Sequence, residues 1–440
     1  MPPNLKMRDR RIKLVIIGGG ILGRSLAHEA AKPEWGIKSA VLDNGQPGTT
    51  ESATGIWDAR ADHLLRDVDS VEQTARAVID WQNEFPYEPY VVKPKRFLMP
   101  VGPNTPHGSF AFDALLELYE KIAYLRCYRL PGKYQVVSAS MAEQMEPNLR
   151  KNHFSSAFLF WLWTVDPFAF LRKIRNETTV FSEFSRTLYI NKILGFKVRN
   201  SFVEEIAFED HAGKKARIDG PMVIINTTGP WIEETLRCLG IRFPVELKLG
   251  VQAKFSGHYF QSDSGLITFG RDGKYVICLQ KNGYLQVGPT NSPFLPFLGR
   301  LPSKLGTADY DLGYLEETLS DILKESYPVP TAEMLKYGWR VKPKYFIDTD
   351  RPVIWHHRKD GYNNLYSAVP GKMVLGLLTA RELMTRLAHD GWLGETALLP
   401  KISLALDGKR PYRNQLKLLW LYLKSNLILA IHFIRKVLFG

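Results

Sequence analysis

The amino-acid sequence predicts a mixed fold, α/β in one part and α+β in another, with an amphipathic helix at its C-terminus. Three observations predict this fold. A buried strand, a glycine turn and a helix follow one another near the N-terminus, and helix and strand patterns then alternate along the chain. Between residues 244 and 290, three segments alternate in strand fashion with turns typical of an antiparallel sheet. A chain of 440 residues has room for two or three domains.

The glycine turn is the most informative of these features. It follows the apolar residues Val15–Ile17 and contains the G-x-G-x-x-G pattern, whose glycines are Gly18, Gly20 and Gly23. A turn without Cβ atoms lets the backbone approach a pyrophosphate, and the helix that begins near Ile21 points its N–H groups at that anion. Asp43 ends a second apolar strand, 20 residues after Gly23, where a carboxylate can accept hydrogen bonds from ribose hydroxyls. This unit therefore predicts a Rossmann-type dinucleotide-binding domain.

Hydrophobic periodicity predicts the elements that follow. The predicted helices are Val68–Glu84, Ala111–Tyr124, Pro167–Glu177, Ile232–Leu239, Tyr314–Glu325 and Val374–Ala388. The predicted strands are Arg96–Val101, those within Thr187–Phe208, Pro221–Asn226, Leu249–Phe255, Lys274–Leu279, Tyr284–Gly288, Glu333–Pro343 and Leu365–Val369.

The net charge of +13 suits a nucleic acid, an anionic lipid surface or an acidic small molecule. No RNA- or DNA-binding motif accompanies the basic residues, so we expect no nucleic-acid partner. The three cysteines, Cys127, Cys238 and Cys278, are isolated and lack metal-ligand spacing. They predict reduced, core-type thiols in a reducing compartment and no metal site.

Residues 411–440 are rich in leucine, isoleucine and phenylalanine and carry a basic stripe. At 100° per residue, Lys417, Lys424 and Arg435 fall within a narrow sector. This pattern predicts a helix lying in a membrane interface, on the cytoplasmic face of a membrane, in a peripheral or monotopic protein. The alternatives are a single membrane span, which Lys424 at mid-segment disfavours, and a helix packed on the protein's own core or on another subunit.

Five segments resemble, in order and spacing, the FAD-dependent oxidoreductases of the D-amino-acid-oxidase superfamily. The chain is most similar to the flavin-linked, aerobic glycerol-3-phosphate dehydrogenases. The five segments are Val15–Gly23, Thr49–Gly55, Val223–Trp231, Gly338–Pro343 and Pro370–Met373. The resemblance implies an FAD-binding domain in three parts (10–92, 151–243 and 344–400) and an antiparallel-sheet substrate or cap domain in two parts (93–150 and 244–343). The segment 411–440 follows as the membrane-interface helix.

The resemblance implies FAD as the bound dinucleotide. The residues it assigns to FAD are Gly18, Gly20, Ile21, Leu22, Gly23, Asp43, Asn44, Ser52, Thr54, Ile193, Thr227, Gly229, Trp231, Gly371, Lys372 and Met373. In this assignment the glycine turn holds the pyrophosphate, Asp43 and Asn44 lie by the adenosine ribose, and the backbone of Ile193 meets adenine. Gly371–Met373 present N–H groups to the pyrimidine edge of the flavin.

The implied reaction is oxidation of a small polar, anionic alcohol by hydride transfer to flavin N5, with a membrane quinone as electron acceptor. Arg340, Lys372, His63 and Arg60 are the candidate catalytic residues. Arg340 suits a phosphate or carboxylate, and His63 could take a proton. The family's His-Gly-Gly is missing from the segment Ala53–Arg60, so the substrate stays open.

The alternatives are an amine or amino-acid oxidase that uses O₂, a flavoprotein that has lost catalysis, and an RNA-associated flavoprotein. Homo-oligomerisation is also left open.

Overall fold

In the computed structural model, the chain folds into two compact units. The structure describes residues 13–46, 48, 50, 53, 55–57, 68–85, 92–106, 108–125, 132–180, 183–221, 223–242, 245–261, 263–290, 292–294, 308–327, 331–343, 351–393, 406–407, and 420, 423–424, 426–428, 430–432 and 434–435. The first unit comprises Met1–Glu51, Pro167–Glu246 and Arg340–Leu418. The second unit comprises Ser52–Asp166, Leu247–Trp339 and Leu419–Gly440.

The strands of the described residues are numbered along the chain. They are β1 (Leu14–Ile17), β2 (Ser39–Asp43), β3 (Ile56–Trp57), β4 (Lys93–Val101), β5 (Gln135–Ser138), β6 (Ser156–Thr164), β7 (Ser185–Arg199), β8 (Phe202–Asp210), β9 (Lys215–Asp219), β10 (Val223–Asn226), β11 (Val245–Ser256), β12 (Gly265–Phe269), β13 (Tyr275–Lys281), β14 (Tyr284–Gly288), β15 (Ser292–Phe294), β16 (Glu333–Pro343), β17 (Val353–His356), β18 (Leu365–Val369) and β19 (Leu406–Asp407). The α-helices are α1 (Ile21–Ala31), α2 (Val68–Glu84), α3 (Gly108–Leu125), α4 (Ala139–Met145), α5 (Pro167–Val180), α6 (Ile232–Arg237), α7 (Ala308–Ile322) and α8 (Gly376–His389).

The first unit is built on a sheet with the strand order β19-β17-β18-β10-β1-β2-β7-β8-β9. Its five central strands are parallel to one another. They are β18, β10, β1, β2 and β7, in spatial order. Strands β1, β10 and β18 are buried along their whole length, as is typical of parallel strands, which are covered on both faces. One hydrophobic cluster joins the sheet to α1 and α8 through residues that include Ile16, Leu26, Ile225 and Leu383.

The second unit is built on a mostly antiparallel sheet with the order β15-β11-β14-β13-β12-β4-β6-β3, to which β16 adds beside β11 and β5 beside β6. Strands β4 and β12 are paired in parallel. Side chains alternate between two hydrophobic clusters, as the two-residue period of a strand requires. Phe97 packs with α3 residues such as Leu115, while the next residue, Leu98, packs with α7 residues such as Leu319. This sheet therefore has hydrophobic residues on both faces.

The predicted mixed fold is confirmed, but the division of the chain differs from the one expected. The chain first leaves the first unit after Glu51, not after residue 92, and returns at Pro167, not at 151. Strand pairing explains both differences. The two-residue strand β3 pairs with the end of β6, and β6 pairs along its length with β4, so these three strands belong to the sheet of the second unit. The later crossings, at 246/247 and 339/340, lie within four residues of the expected positions.

Cysteine burial corrects one further expectation. Cys278 is a buried free thiol, and burial raises the pKa of this thiol. Cys238 is also free, but it is exposed at the end of α6 rather than in the core. The short, half-polar helix α6 ends before this residue, so its side chain faces solvent. Cys127 lies outside the described residues.

A candidate cofactor site in the first unit

Four neighbouring parallel strands of the first unit end at the same edge of its sheet. They are β18, β10, β1 and β2, in spatial order. Their registers pair Ile225 with Tyr366, Ile16 with Ile225, and Ile16 with Val41, so the strands are level with one another. In open α/β sheets, ligands bind outside the carboxyl ends of the strands. The segments that follow these four ends contain most of the residues predicted to bind FAD.

The glycine turn after β1 is packed too closely to accept side chains. Gly18 has φ of +105°, and a Cβ atom there would lie 2.9 Å from the carbonyl of Thr227. A Cβ atom on Gly23 would lie 1.9 Å from the carbonyl oxygen of Gly18 and 2.9 Å from Thr227 Oγ1. Around Gly20, by contrast, the nearest atom would be Thr50 Oγ1 at 3.5 Å. Gly18 and Gly23 therefore serve packing, while Gly20 keeps the outer side of the turn open.

Thr227 braces this turn from the neighbouring strand. Its backbone N–H donates to the Ile17 carbonyl at 2.8 Å. Its hydroxyl lies 3.0 Å from the carbonyl oxygens of both Ile17 and Gly18, to which it donates. The resemblance assigns Thr227 to the FAD site. The structure adds a structural role, because the hydroxyl is held by the backbone of the glycine turn.

The N-terminus of α1 is the positive end of the helix dipole, and one of its backbone N–H donors already has a partner within the protein. The first turn of this helix contains no acidic residue. The N–H of Ile21 donates to Thr50 Oγ1 at 3.2 Å. Ile21, one of the residues predicted to bind FAD, thus has a protein partner for its N–H. The hydroxyl of Thr50 was not predicted, although Thr50 lies within the resembling segment Thr49–Gly55.

The acidic residue at the end of β2 lies directly against the glycine turn. A Cβ atom on Gly19 would be 2.1 Å from Asp43 Oδ2. Asp43 Oδ2 also lies 3.0 Å from Nη2 of Arg24, in an ion pair, and Oδ1 accepts the N–H of Gly45 at 3.3 Å. The next residue, Asn44, is exposed, and its carbonyl oxygen lies 3.0 Å from Nε2 of His211.

The segment after β18 forms the other end of the row. Gly371 has φ of +73°, and a 3₁₀ helix (Met373–Leu375) follows and leads into α8. The N–H of Lys372 donates to the carbonyl of Pro370 at 2.8 Å, so this N–H is used within the turn. A Cβ atom on Gly376 would lie 2.7 Å from Cγ1 of Ile21. The start of α8 therefore packs tightly against the start of α1.

The remaining predicted residues are placed less tightly. Gly229, with φ of +58°, begins a 3₁₀ helix that ends at Trp231, and the indole of Trp231 is exposed. Ile193 is half-buried on β7, four residues beyond Tyr189, which pairs with Asp43. Ser52, Thr54, Arg60 and His63 lie outside the described residues, as does the side chain of Arg340 on β16.

Sequence reasoning missed Arg24, Thr50 and His211, which contact predicted site residues. No motif singles them out. His211 follows β8 and reaches Asn44 through a turn that sequence does not align with β2. Among the described residues, no group of three histidine, cysteine, aspartate or glutamate side chains could hold a metal ion.

The residues at this edge fit the FAD that the resemblance implies. Gly20 leaves the outer side of the turn open to a pyrophosphate, and the positive end of α1 favours that anion. A carboxylate lies beside the turn for the ribose. The guanidinium of Arg24 also contains a buried Nε without a hydrogen-bond partner among the described residues, as expected where a ligand completes a site.

Curated relatives of the chain carry glycerol-phosphate names. An aerobic glycerol-3-phosphate dehydrogenase of Staphylococcus saprophyticus is 24% identical over 303 residues, which cover 65% of this chain and 51% of that protein. A glycerol-3-phosphate dehydrogenase of Synechocystis is 22% identical over 409 residues, covering 87% of this chain and 70% of that protein. The chain spans about half the length of the first of these relatives.

Solved structures share the fold. A glycerol-3-phosphate dehydrogenase from Bacillus halodurans, complexed with FAD, matches with a TM-score of 0.62 and 16% identity, over 89% of this chain and 67% of that one. An L-proline dehydrogenase from P. horikoshii matches with a TM-score of 0.65 and 18% identity, over 92% and 99% of the two chains. The model of the family described as FAD dependent oxidoreductase matches residues 13–386, and the chain belongs to this family, with FAD as its cofactor.

Proposed function

We propose that this protein is an FAD-dependent dehydrogenase that oxidises a small polar, anionic alcohol of the glycerol-3-phosphate type and passes the electrons to a membrane quinone. The observation that carries the proposal is the glycine cradle at the edge of the first unit's sheet, in a chain whose relatives include named glycerol-3-phosphate dehydrogenases.

When bound, FAD accepts a hydride from a C–H bond of the substrate. The chain's own residues then have two tasks, to fix the anionic end of the substrate and to take the proton of its hydroxyl. Arg340, with a planar fork that suits phosphate, and Lys372, just before the 3₁₀ helix at Met373, are the proposed anion ligands. His63 is the proposed proton acceptor, with Arg60 close in sequence.

The substrate is tested by anaerobic mixing of the purified, flavin-containing protein with polyol phosphates, hydroxy acids and amino acids. We expect a polyol phosphate to bleach the flavin absorbance. Amino acids belong in the panel because an amine or amino-acid oxidase is the second candidate, and the L-proline dehydrogenase from P. horikoshii has the same fold. Bleaching by an amino acid alone, with hydrogen peroxide formed in air, would replace the first candidate with the second. A flavin that no compound bleaches would favour a protein that has lost catalysis.

The role of Arg340 is tested by Arg340→Ala. Loss of the guanidinium should raise KM for the anionic substrate by about tenfold or more, because a hydrogen bond to a charged group contributes about 1.5–3 kcal/mol. The flavin content should stay unchanged. Arg271→Ala is the matched control, since Arg271 is an exposed arginine that pairs with Glu317 in the second unit. Equal kinetics of the two variants would remove Arg340 from the substrate site.

Membrane attachment is proposed from the C-terminal segment. Its described residues between 420 and 435 are helical, and Ile428 packs on the cluster that contains Phe97 and Leu115. A stripe of large apolar side chains, spaced by three or four residues, is nevertheless exposed: Trp420, Leu423, Leu427, Ile431 and Ile434. No acidic residue follows Asp407 in the sequence. An exposed apolar stripe with basic neighbours suits the surface of an anionic bilayer.

No helix among the described residues is long and apolar enough to cross a bilayer. The test of attachment is sedimentation with phosphatidylglycerol–phosphatidylcholine vesicles. Ile434→Gln should weaken binding severalfold. Val136→Gln, which changes an equally exposed side chain (55% in both cases) on β5, should not. Equal binding of the two variants would remove the stripe as the attachment surface, and transfer of electrons to O₂ but not to a quinone analogue would refute the proposed acceptor.

A further inference from the structure

Arg24 is the first residue after the glycine pattern, and its side chain reaches back over the turn. Its Nη2 lies 3.0 Å from Oδ2 of Asp43. The side chains are 13% and 10% exposed, so the pair is largely shielded from water. A guanidinium has five N–H donors, and Asp43 occupies few of them. The Nε of Arg24 is buried without a hydrogen-bond partner among the described residues.

The carboxylate of this pair is fixed against the backbone of the turn. Asp43 Oδ2 occupies the space that a Cβ atom on Gly19 would need, and Oδ1 accepts the N–H of Gly45. The pair therefore places a fixed acceptor and a fixed donor next to each other at the end of β2. Ribose hydroxyls both donate and accept hydrogen bonds, so a carboxylate beside a guanidinium satisfies both capacities.

We propose that Arg24 is a cofactor-positioning residue, which holds the Asp43 carboxylate in place and, together with it, recognises the ribose diol of the FAD adenosine. The inference rests on FAD as the family's cofactor and not on the proposed substrate. A bridge that merely fastened α1 to β2 would make the same ion pair, and the two roles differ in what they do to ligand binding. A fastening role changes stability, whereas a positioning role changes the discrimination between ligands with and without the ribose hydroxyls.

The first measurement is the FAD dissociation constant, from flavin fluorescence on dilution of the holoprotein. Arg24→Met should weaken FAD binding by about tenfold or more, since charge-assisted hydrogen bonds are about twice as strong as neutral ones. Arg24→Lys keeps the charge but loses the planar guanidinium, so its FAD dissociation constant should lie between those of the unaltered protein and Arg24→Met. Lys32→Met is the matched control, because Lys32 lies just after α1 and pairs with Glu29 at 2.7 Å. The control should bind FAD as the unaltered protein does.

The second measurement compares ADP with 2′-deoxy-ADP as competitors that release FAD from the same holoprotein. The unaltered protein should prefer ADP by about tenfold, and Arg24→Met should lose most of that preference. Where Arg24→Met gives no folded protein, Arg24→Lys serves for both measurements. An FAD dissociation constant within twofold of the unaltered value, or an undiminished preference for ADP, would overturn the proposal. Because no substrate is used, this result is independent of whether the proposed alcohol is oxidised.

Discussion

Gly23→Ala should destabilise the first unit, because its added methyl group has no room. The Cβ atom would lie 1.9 Å from the carbonyl oxygen of Gly18, whereas ordinary van der Waals contact begins at 3.4 Å, so α1 and the turn must separate by about 1.5 Å (3.4 − 1.9). Overpacking of this kind costs about 1–3 kcal/mol. At about 2–4 °C per kcal/mol, the melting temperature should fall by about 2 to 12 °C.

The assay for Gly23→Ala is thermal unfolding with and without added FAD, together with FAD titration. Gly313→Ala is the matched control, since Gly313 lies within α7 and a Cβ atom there would meet nothing within 4 Å. That control should be neutral or more stable by about 0.5–1 kcal/mol, because alanine is a better helix former than glycine. Gly23→Ala should also weaken FAD binding, since the displaced turn is the proposed pyrophosphate cradle. A melting temperature and FAD affinity equal to those of the unaltered protein would refute the packing argument.

Three further outcomes are expected. Gly20→Ala should leave the melting temperature nearly unchanged, since the nearest atom is 3.5 Å away, yet weaken FAD binding by about tenfold; unaltered affinity would place the pyrophosphate elsewhere. In a Cys127→Ser background, a thiol reagent should label the exposed Cys238 in the native protein. The same reagent should label Cys278 only after unfolding, because this thiol is buried and burial raises its pKa. Labelling of both cysteines in the native protein would contradict the burial of Cys278. Burial raises the pKa of Tyr259 to about 12, so the stability that its neutral form contributes below pH 10 should be lost as the pH rises toward 12. Tyr259→Phe should reduce this alkaline fall of the melting temperature. An unchanged dependence of the melting temperature on pH would exclude Tyr259 as its source.

The local pattern at the N-terminus was sufficient to predict β1 and α1, two of the elements that position the site. Strand β1 was predicted because a fully buried parallel strand is a short continuous apolar run, and α1 because glycine and apolar spacing mark its start. The helix Val68–Glu84 and the strands Tyr284–Gly288, Glu333–Pro343 and Leu365–Val369 were predicted to the residue. These segments have strong periodicity and clear turns at their ends.

The strand β6 escaped prediction because its sequence, Ser156–Thr164, contains aromatic residues on both faces and so lacks alternation. Its pairing with β3 and β4 moved the first crossing between units from residue 92 to 51. The β3–β6 pairing joins residues more than 100 positions apart, and no local pattern encodes it.

The site shows the same limit at the level of single side chains. The glycines and Asp43 were predicted because they stand at fixed spacings within one local sequence motif. The Arg24–Asp43 pair and the Thr50 hydrogen bond to Ile21 depend on how helix and loop turn over the sheet edge. The prediction for Cys238 was wrong, because an isolated cysteine was expected in the core and this thiol is exposed at the surface.

The order of strands in the first unit has a consequence for the synthesis of the protein. The row of strands under the cofactor begins with residues 14–17 and is completed only by residues 365–369, with an entire second sheet made in between. During translation, β2 follows β1 directly, but β10 is made only at residues 223–226 and β18 only at 365–369, so the row stays incomplete until most of the chain has left the ribosome. Contacts so distant in sequence slow folding. A nascent chain that stalls before β18 would lack one of the four strands at the cofactor site, and we expect it not to retain flavin.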